Sequence, residues 1–403
     1  MGEVVKEVLP NGVTLLVKPT EGAGIVALNL FIRGGITDEE VAGVTNLTTY
    51  LLIKGSKNFS KEEISEAFED FGGSITTSTA DEYGEIEILT KVEGLKKGLT
   101  VLKDILLNPL FTEEDLEREK KNVLTAIKSK RENPFKFAYS ELKKLTFEGT
   151  PYERDPLGEE DSVKKITTSE VKKRWNQLLK GGRFVVSLVG DIETPKETLK
   201  LLKETFGEIP EGVFKYPTFE KEIKNSQLKE LKREGSQATV ICAFNAPPCQ
   251  SEYYPAGKVF NAVLGDGFTS ILFRELREKR GYAYATTSFY PTKVNMPRFF
   301  AYIGTSPQKV EKALRDLIKV TQEFPFTEED VEIAKRKFIG DWLLDHQTRL
   351  RQSWYLGWFE TLGLGFEKDF KFTQLIKDVT FKEVLEIREK FIDNLHQCVL
   401  VKP

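Results

Sequence analysis

The feature that most constrains this chain is an internal echo. Phe111-Thr112-Glu113-Glu114-Asp115-Leu116-Glu117 returns as Phe326-Thr327-Glu328-Glu329-Asp330-Val331-Glu332, an offset of 215 residues. Further on, Ile166-Thr167-Thr168-Ser169-Glu170-Val171 is echoed by Val379-Thr380-Phe381-Lys382-Glu383-Val384, an offset of 213. Two echoes in the same order at nearly equal offsets mean two related halves, and a period this long excludes a solenoid of short stacked repeats. The 403 residues leave each half enough chain to bury its own core. The expected division is a first domain over 1–212, a Lys/Glu/Pro-bearing linker over 213–229 and a homologous second domain over 230–403.

Each half mixes strand and helix patterns in similar order. Val13–Val17 and Ile25–Ile32 read as strands led in by the turn pair Asn11-Gly12. Ser60 followed by Glu63 is a capping box, after which Ile64, Ala67, Phe68 and Phe71 recur at helical spacing until Gly72-Gly73. Glu85–Leu89 alternates charge with apolar residues as a half-buried strand does, and Thr112 and Thr327 are expected to cap the repeated helices. In the second half Thr239–Phe244, Ala283–Tyr290 and Arg298–Ile303 are strand candidates. Several strands look locally paired, so the expected class is α+β with a mostly antiparallel sheet in each half.

Composition narrows the chemistry. Fifty-nine Lys plus Arg against 62 Asp plus Glu leave a net charge of -3, which gives no electrostatic reason for a nucleic-acid partner. No run of about 18 apolar residues occurs, so no membrane-spanning helix is expected. His346 and His396 are the two histidines, and Cys242, Cys249 and Cys398 are too few for most metal sites or disulfide frameworks. Odd cysteine usage favours a reducing compartment. No basic and then apolar leader opens the chain, so a cytoplasmic location is expected, or a periplasmic one if a leader was removed. The Gly265-Asp266-Gly267 turn is no phosphate loop, because no Lys-Ser/Thr follows it.

Two segments carry a family resemblance. Gly43-Val44-Thr45-Asn46-Leu47-Thr48-Thr49-Tyr50-Leu51-Leu52-Ile53-Lys54-Gly55-Ser56 resembles the G-V-A-H-F-L-E-H-M-L-F-K-G-T segment of the pitrilysin/insulinase zinc metallopeptidases, the inverzincins. There H-x-x-E-H lies on a helix, its histidines share one face and hold zinc, and its glutamate activates water. A glutamate from a later helix, in a pattern like E-R-x-x-V-x-x-E-I, completes the site. The resemblance puts Asn46 and Tyr50 at the histidine positions, Thr49 at the base and Ala126 at the glutamate ligand, with Glu119 one helical face upstream. An amide is a poor zinc ligand, a phenol titrates near about 10 and alanine offers nothing, so neither a metal nor another cofactor is expected in this chain. Asn46, Thr49 and Tyr50 then read as ordinary polar residues of a packed helix.

The second segment, Leu264-Gly265-Asp266-Gly267-Phe268-Thr269-Ser270-Ile271-Leu272-Phe273-Arg274-Glu275-Leu276-Arg277-Glu278-Lys279-Arg280-Gly281-Tyr282-Ala283-Tyr284, is similar to the family's L-G-G-G-x-S-S-R-L-F-x-x-L-R-E-x-x-G-L-A-Y. The resemblance implies that Arg277 and Tyr284 are site residues that complete a zinc site opposite them: a guanidinium to grip a peptide carbonyl and a phenol to donate to a developing oxyanion. The competing reading ion-pairs Arg277 with Glu275 or Glu278 and packs Tyr284 in its strand. Arg274 and Arg280 read as solvated helix residues, and Gly265 and Gly267 as turn glycines.

The resemblance runs almost the whole length, through Val8–Val13, Phe31-Ile32-Arg33-Gly34-Gly35, the repeated Phe-Thr-Glu-Glu-Asp and Val189-Gly190-Asp191-Ile192. It implies two homologous α+β domains, each a mostly antiparallel sheet of about six strands flanked by helices. In the half-length branch of the family two such chains enclose a chamber, and in heterodimers one subunit carries zinc while the other carries the Arg/Tyr pair. The resemblance therefore implies a zinc-less subunit with three associations: a homologous H-x-x-E-H-bearing partner holding the zinc, a peptide or unfolded substrate, and a possible homodimer when isolated. A structural or substrate-binding pseudopeptidase with no part in catalysis is the alternative. A self-sufficient peptidase would require a metal site that the sequence does not contain.

Overall fold

The computed structural model describes residues 3–22, 24–192, 194–392 and 394–403. It divides into two compact units, Met1–Ile127 with Arg154–Pro217 and Asp345–Asp369, and Lys128–Glu153 with Thr218–Leu344 and Phe370–Pro403.

The first unit is built on a six-stranded sheet of β1 (Val5–Val8), β2 (Thr14–Pro19), β3 (Ile25–Arg33), β4 (Ser74–Thr79), β5 (Tyr83–Lys91) and β6 (Phe184–Gly190), in the order β1-β2-β6-β3-β5-β4. Only β2 and β6 pair in parallel. The expected strand Ile25–Ile32 is β3, and its pattern explains the layers. Val26, Leu28, Leu30 and Ile32 enter one large core, while Phe31 points into a second with Leu16, Tyr83, Val185, Val189 and Leu356. Successive strand residues face opposite ways, so an apolar run with little alternation needs cover on both sides.

The second unit repeats the plan on five strands: β7 (Gln227–Lys232), β8 (Ala238–Asn245), β9 (Ala283–Phe289), β10 (Arg298–Thr305) and β11 (Gln397–Lys402), in the order β7-β11-β8-β10-β9. Here only β7 and β11 are parallel. Two mixed sheets, mostly antiparallel and flanked by helices, match the α+β class expected from the sequence.

The contiguous division at 1–212 and 230–403 does not describe these units, because two helices change places. Helix Pro134–Thr146 lies in the second unit, where Ala138 and Leu142 pack with Ile241, Ala243, Phe300 and Val399. Helix Arg349–Thr361 lies in the first unit and covers the outer face of its sheet with Leu356, Trp354 and Trp358. Ser353 Oγ donates to the Ser187 carbonyl at 2.8 Å, and Arg33 binds the helix end through the carbonyls of Glu360 (2.8 Å) and Thr361 (3.0 Å). A cation there answers the negative end of the helix dipole. His346 and Asp369, near the two ends of this segment, are joined at 2.8 Å. The expected linker is without helix or strand up to Ser226, but residues 227–229 already belong to β7.

The echoes are structural as well as textual. Thr112 Oγ1 accepts from Asp115 N at 3.1 Å and Thr327 Oγ1 from Asp330 N at 3.2 Å; Thr167 and Thr380 head capping boxes with Glu170 and Glu383. Lys120, buried, reaches Glu117 (2.7 Å) and the Lys164 carbonyl (3.4 Å). Lys335, equally buried, reaches Glu332 (2.7 Å) and the Val379 carbonyl (2.9 Å). In both units an ammonium ties the first motif to the second.

Cysteine usage departs from expectation. Cys242 of β8 and Cys398 of β11 stand directly opposite each other and form a disulfide across 156 residues of sequence, leaving Cys249 as a buried thiol. No local spacing announces this pair, because only the β8–β11 register makes it. The cysteine count therefore no longer argues for a reducing compartment. No helix among the described residues is long and apolar enough to cross a membrane.

A Cβ on Gly357 would fall 2.6 Å from the buried Phe31 ring, so Gly357→Val should lower unfolding free energy by about 1–3 kcal/mol. Gly340→Ala, with nothing within 4 Å, should be neutral or stabilise by up to about 1 kcal/mol; urea denaturation of both variants checks the contrast. Cys242 and Cys398 close so long a loop that reducing the bond should destabilise the second unit by about 2–4 kcal/mol. Cys249→Ala should retain that full dependence on reductant.

Candidate functional site

The first candidate locus is helix Val44–Leu51. Gly43 precedes it at φ +88°, where a Cβ would lie 2.8 Å from the Leu157 carbonyl. The buried Glu39 carboxylate accepts from the amides of Gly43 and Thr45, both at 3.1 Å, and so satisfies donors of the first helical turn. Burial pushes the Glu39 carboxyl up from its usual range. Arg174 holds the same turn through Thr45 Oγ1 (3.0 Å) and Asp38 (2.8 Å). The helix is thus fixed firmly, but it carries no metal-binding set.

Asn46 and Thr49 are both buried. The Thr49 hydroxyl donates to the Thr45 carbonyl at 2.9 Å, and a Cβ on Gly84 would come within 3.0 Å of that hydroxyl. Asn46 Nδ2 is buried without a hydrogen-bond partner. Tyr50 is half-buried, and burial with the nearby Glu119 charge raises its phenol above the ordinary value. Glu119 itself is held by Lys54 at 2.9 Å and by Asn122 Nδ2 at 3.2 Å, so its carboxylate already has a cation. Ala126, farther along the same helix, is exposed.

These residues do not fit a zinc ion. Among the described residues no group of three or more His, Cys, Asp or Glu could hold a metal. Nor do the histidines supply a substitute. His346 is taken up by Asp369 and stacks on Tyr355 at 4.2 Å, while burial lowers the His396 imidazole below its ordinary value.

The second locus lies in the second unit. Helix Tyr254–Gly265 ends against β9, where a Cβ on Gly265 would meet Ser288 N at 2.2 Å. Gly267 turns the chain at φ +85°, and Lys337 holds Asp266 at 3.0 Å. The helix that follows is π-helical over Phe273–Lys279, a wider winding than the α-helix and one that recurs frequently at functional sites. Gly281, at φ +59°, ends it before β9, and Tyr282 N donates to the Leu276 carbonyl at 2.9 Å. That bond ties the strand carrying Tyr284 to the helix carrying Arg277.

The charges around Arg277 are already matched. Glu275 points inward and accepts from Lys279 (2.5 Å) and Arg280 (2.9 Å). Burial opposes its ionisation, yet these hydrogen bonds hold its carboxyl below the ordinary range. Arg280 also meets Asp316 at 3.3 Å, and Arg274 meets Asp330 at 2.7 Å, so both arginines expected to be solvated are ion-paired instead. Arg277 is exposed, its guanidinium 5.0 Å from the centre of the Phe273 ring. Tyr284 is 61% exposed on the edge strand β9. Neither side chain makes a hydrogen bond or ion pair with another described residue, so the ion-paired Arg277 and packed Tyr284 of the competing reading are absent. Sequence reasoning passed over Phe268 and Phe273 beside this pair; the only signal was two phenylalanines flanking a glycine turn and a helix start.

The chain matches two family models: "Insulinase (Peptidase family M16)" over residues 15–160 and "Peptidase M16 inactive domain" over residues 165–338. A Helicobacter pylori protein named "Non-peptidase homolog YmxG" is 27% identical over 89% of this chain and 84% of that protein. A Bacillus subtilis protein named "Uncharacterized zinc protease YmxG" is 24% identical over 83% of this chain and 82% of that protein. A crystal structure described as a peptidase M16 inactive domain from Pseudomonas fluorescens superposes with TM-score 0.91 at 22% identity, covering 99% of this chain and 98% of the other. A structure described as a protease from Helicobacter pylori gives TM-score 0.91 at 18% identity over the full length of both. With both halves matched in sequence and the whole length matched in fold, this chain belongs to the M16 insulinase family, with a zinc-ligand motif that has lost its ligands.

Proposed function

We propose that this chain is the zinc-less subunit of a heterodimeric zinc metallopeptidase and contributes Arg277 and Tyr284 to the partner's active site. The observation that carries this reading is the state of that pair: an exposed arginine without an ion-pair partner among the described residues, and a tyrosine exposed on an edge strand. A scaffold has no use for a guanidinium and a phenol held out in this way. The zinc and the general base would come from a homologous H-x-x-E-H-bearing subunit. From this chain, the guanidinium fork of Arg277 would donate to a carbonyl of an extended peptide, and the phenolic O–H of Tyr284 would donate to the oxygen on which charge develops.

The substrate class is peptides and unfolded segments. Such chains bind by strand addition, and the sheets have edge strands in β4 and β9. The location expected from the sequence, cytoplasmic or periplasmic if a leader was removed, is kept in this reading, and the Cys242–Cys398 disulfide favours the oxidising one.

The second reading is a structural or substrate-binding pseudopeptidase, and the name of the Helicobacter pylori relative, a non-peptidase homolog, favours it. Metal analysis and peptide cleavage separate the two. The isolated chain should bind no zinc stoichiometrically and cleave nothing, whereas its complex with an H-x-x-E-H chain should do both. Tyr284→Phe should then lower kcat of the complex about 10²-fold without preventing assembly. Unchanged turnover would leave the scaffold reading, and stoichiometric zinc in an active isolated chain would refute both.

A further inference from the structure

A groove of about 1210 Å³ opens in the first unit, where the ends of β2 and β6 meet the starts of helices Val92–Leu107, Pro195–Phe206 and Arg349–Thr361. Small-molecule sites usually hold about 300–1,000 Å³, so this one has room for a segment of chain. Leu95, Ile192 and Thr198 are buried in its lining, with Val92 and Leu201 half-buried beside them. Thr198 is only 6% exposed, and its hydroxyl makes no hydrogen bond with another described residue. Glu21, Glu93 and Glu197 are exposed along the same lining, and none has an ion-pair partner among the described residues. Glu197 accepts only from the Thr194 hydroxyl, at 2.9 Å.

The charge left over in the groove is negative. Arg349 is held by Asp191 at 2.6 Å, and the buried Lys18 reaches Gln352 at 3.2 Å in the field of Asp369. Counting Asp369, five carboxylates oppose the three cations Lys18, Lys96 and Arg349, a balance of -2. The helix starts do not reverse that balance with free donors. Val92 N donates to the Gly24 carbonyl (3.0 Å), Glu197 N to the Thr194 carbonyl (3.1 Å) and Arg351 N to Thr348 Oγ1 (3.2 Å). We infer that this groove binds a peptide segment bearing lysine or arginine together with apolar side chains. The buried apolar lining takes the apolar side chains out of water, the exposed carboxylates pair with the cationic heads, and the Thr198 hydroxyl accepts a peptide N–H. Neither Arg277 nor Tyr284 takes part, since both lie in the second unit, and the inference does not rest on the catalytic proposal.

The test uses the full-length chain and a fluorescein-labelled peptide of about eight alternating Lys and Leu residues, beside Glu/Leu and Lys/Ser peptides of the same length. Fluorescence anisotropy should show the Lys/Leu peptide binding about tenfold tighter or more than either control, and weakening as salt is raised. The double variant Glu93→Gln/Glu197→Gln should weaken that binding about fivefold or more. Thr198→Val, which keeps the shape and removes the hydroxyl, should weaken binding and retain the preference for Lys over Glu. Glu62→Gln/Glu66→Gln changes two exposed carboxylates of helix Lys61–Glu69, outside the groove, and should leave the affinity as it was. Because Glu93 and Glu197 are exposed, their double variant should melt within about 5 °C of the wild type, which circular dichroism checks. A wild-type chain that binds none of the peptides, or binds Lys/Leu and Glu/Leu alike, overturns the inference, as does a Glu93→Gln/Glu197→Gln chain of unchanged affinity. An equal loss in the Glu62→Gln/Glu66→Gln chain would mean general attraction to acidic surface, and would overturn it too.

Discussion

Burial of both faces of a sheet is the constraint on which this structure depends. β3 offers apolar side chains in both directions, and water on either side would expose a row of Leu, Val, Ile and Phe. Its own half of the sequence supplies helices for one face only. The other face is covered by helix Arg349–Thr361, which comes from the far half of the chain, while Pro134–Thr146 covers the second sheet. The close approach at Gly357, the Arg33 clasp on the helix end and the Ser353 bond to Ser187 all serve that exchange.

The duplication is exact enough to repeat particular contacts, and its sites have nevertheless diverged. Lys120 and Lys335 make the same two links in their respective units, so the frame is shared. On that frame the first unit has a helix with Asn46, Thr49 and Tyr50, all sequestered or blunted, and a carboxylate, Glu119, matched to Lys54. The second unit instead exposes charge and aromatic surface. Glu275 is satisfied by Lys279 and Arg280, and Arg277 has no ion-pair partner among the described residues. The first unit lacks zinc ligands through residue identity, whereas in the second unit local charge pairing satisfies Glu275 without Arg277.

Much of the site was legible because it rests on residue identity. Asn46, Thr49, Tyr50 and Ala126 exclude a zinc site wherever they point, since none of them supplies a ligand zinc prefers. The glycine turn, the helix and its stop at Gly281 were legible too, because they follow from backbone conformations that few residues adopt. The π-helical winding was not, since the same apolar spacing suits either helix. Nor was the pairing of Arg274 with Asp330 and of Arg280 with Asp316, whose partners are distant in sequence. Nor was the edge-on contact of Phe268 with Phe273, or the Arg277 guanidinium over the Phe273 ring, since side-chain placement decides both.

By itself the sequence determined the duplication, the strand and helix types, the helix caps and the non-ligand residues at the motif positions of the first half. These depend on periodicity, on side-chain hydrogen bonds to backbone within a few residues, and on which atoms a residue owns. Tertiary structure alone decided which helix covers which sheet, that Cys242 meets Cys398, and that Arg277 and Tyr284 are exposed without a hydrogen-bond or ion-pair partner among the described residues. Each of those outcomes is a competition among partners far apart in the chain. It is settled by register, packing space and the nearest opposite charge, none of which is encoded in a local pattern.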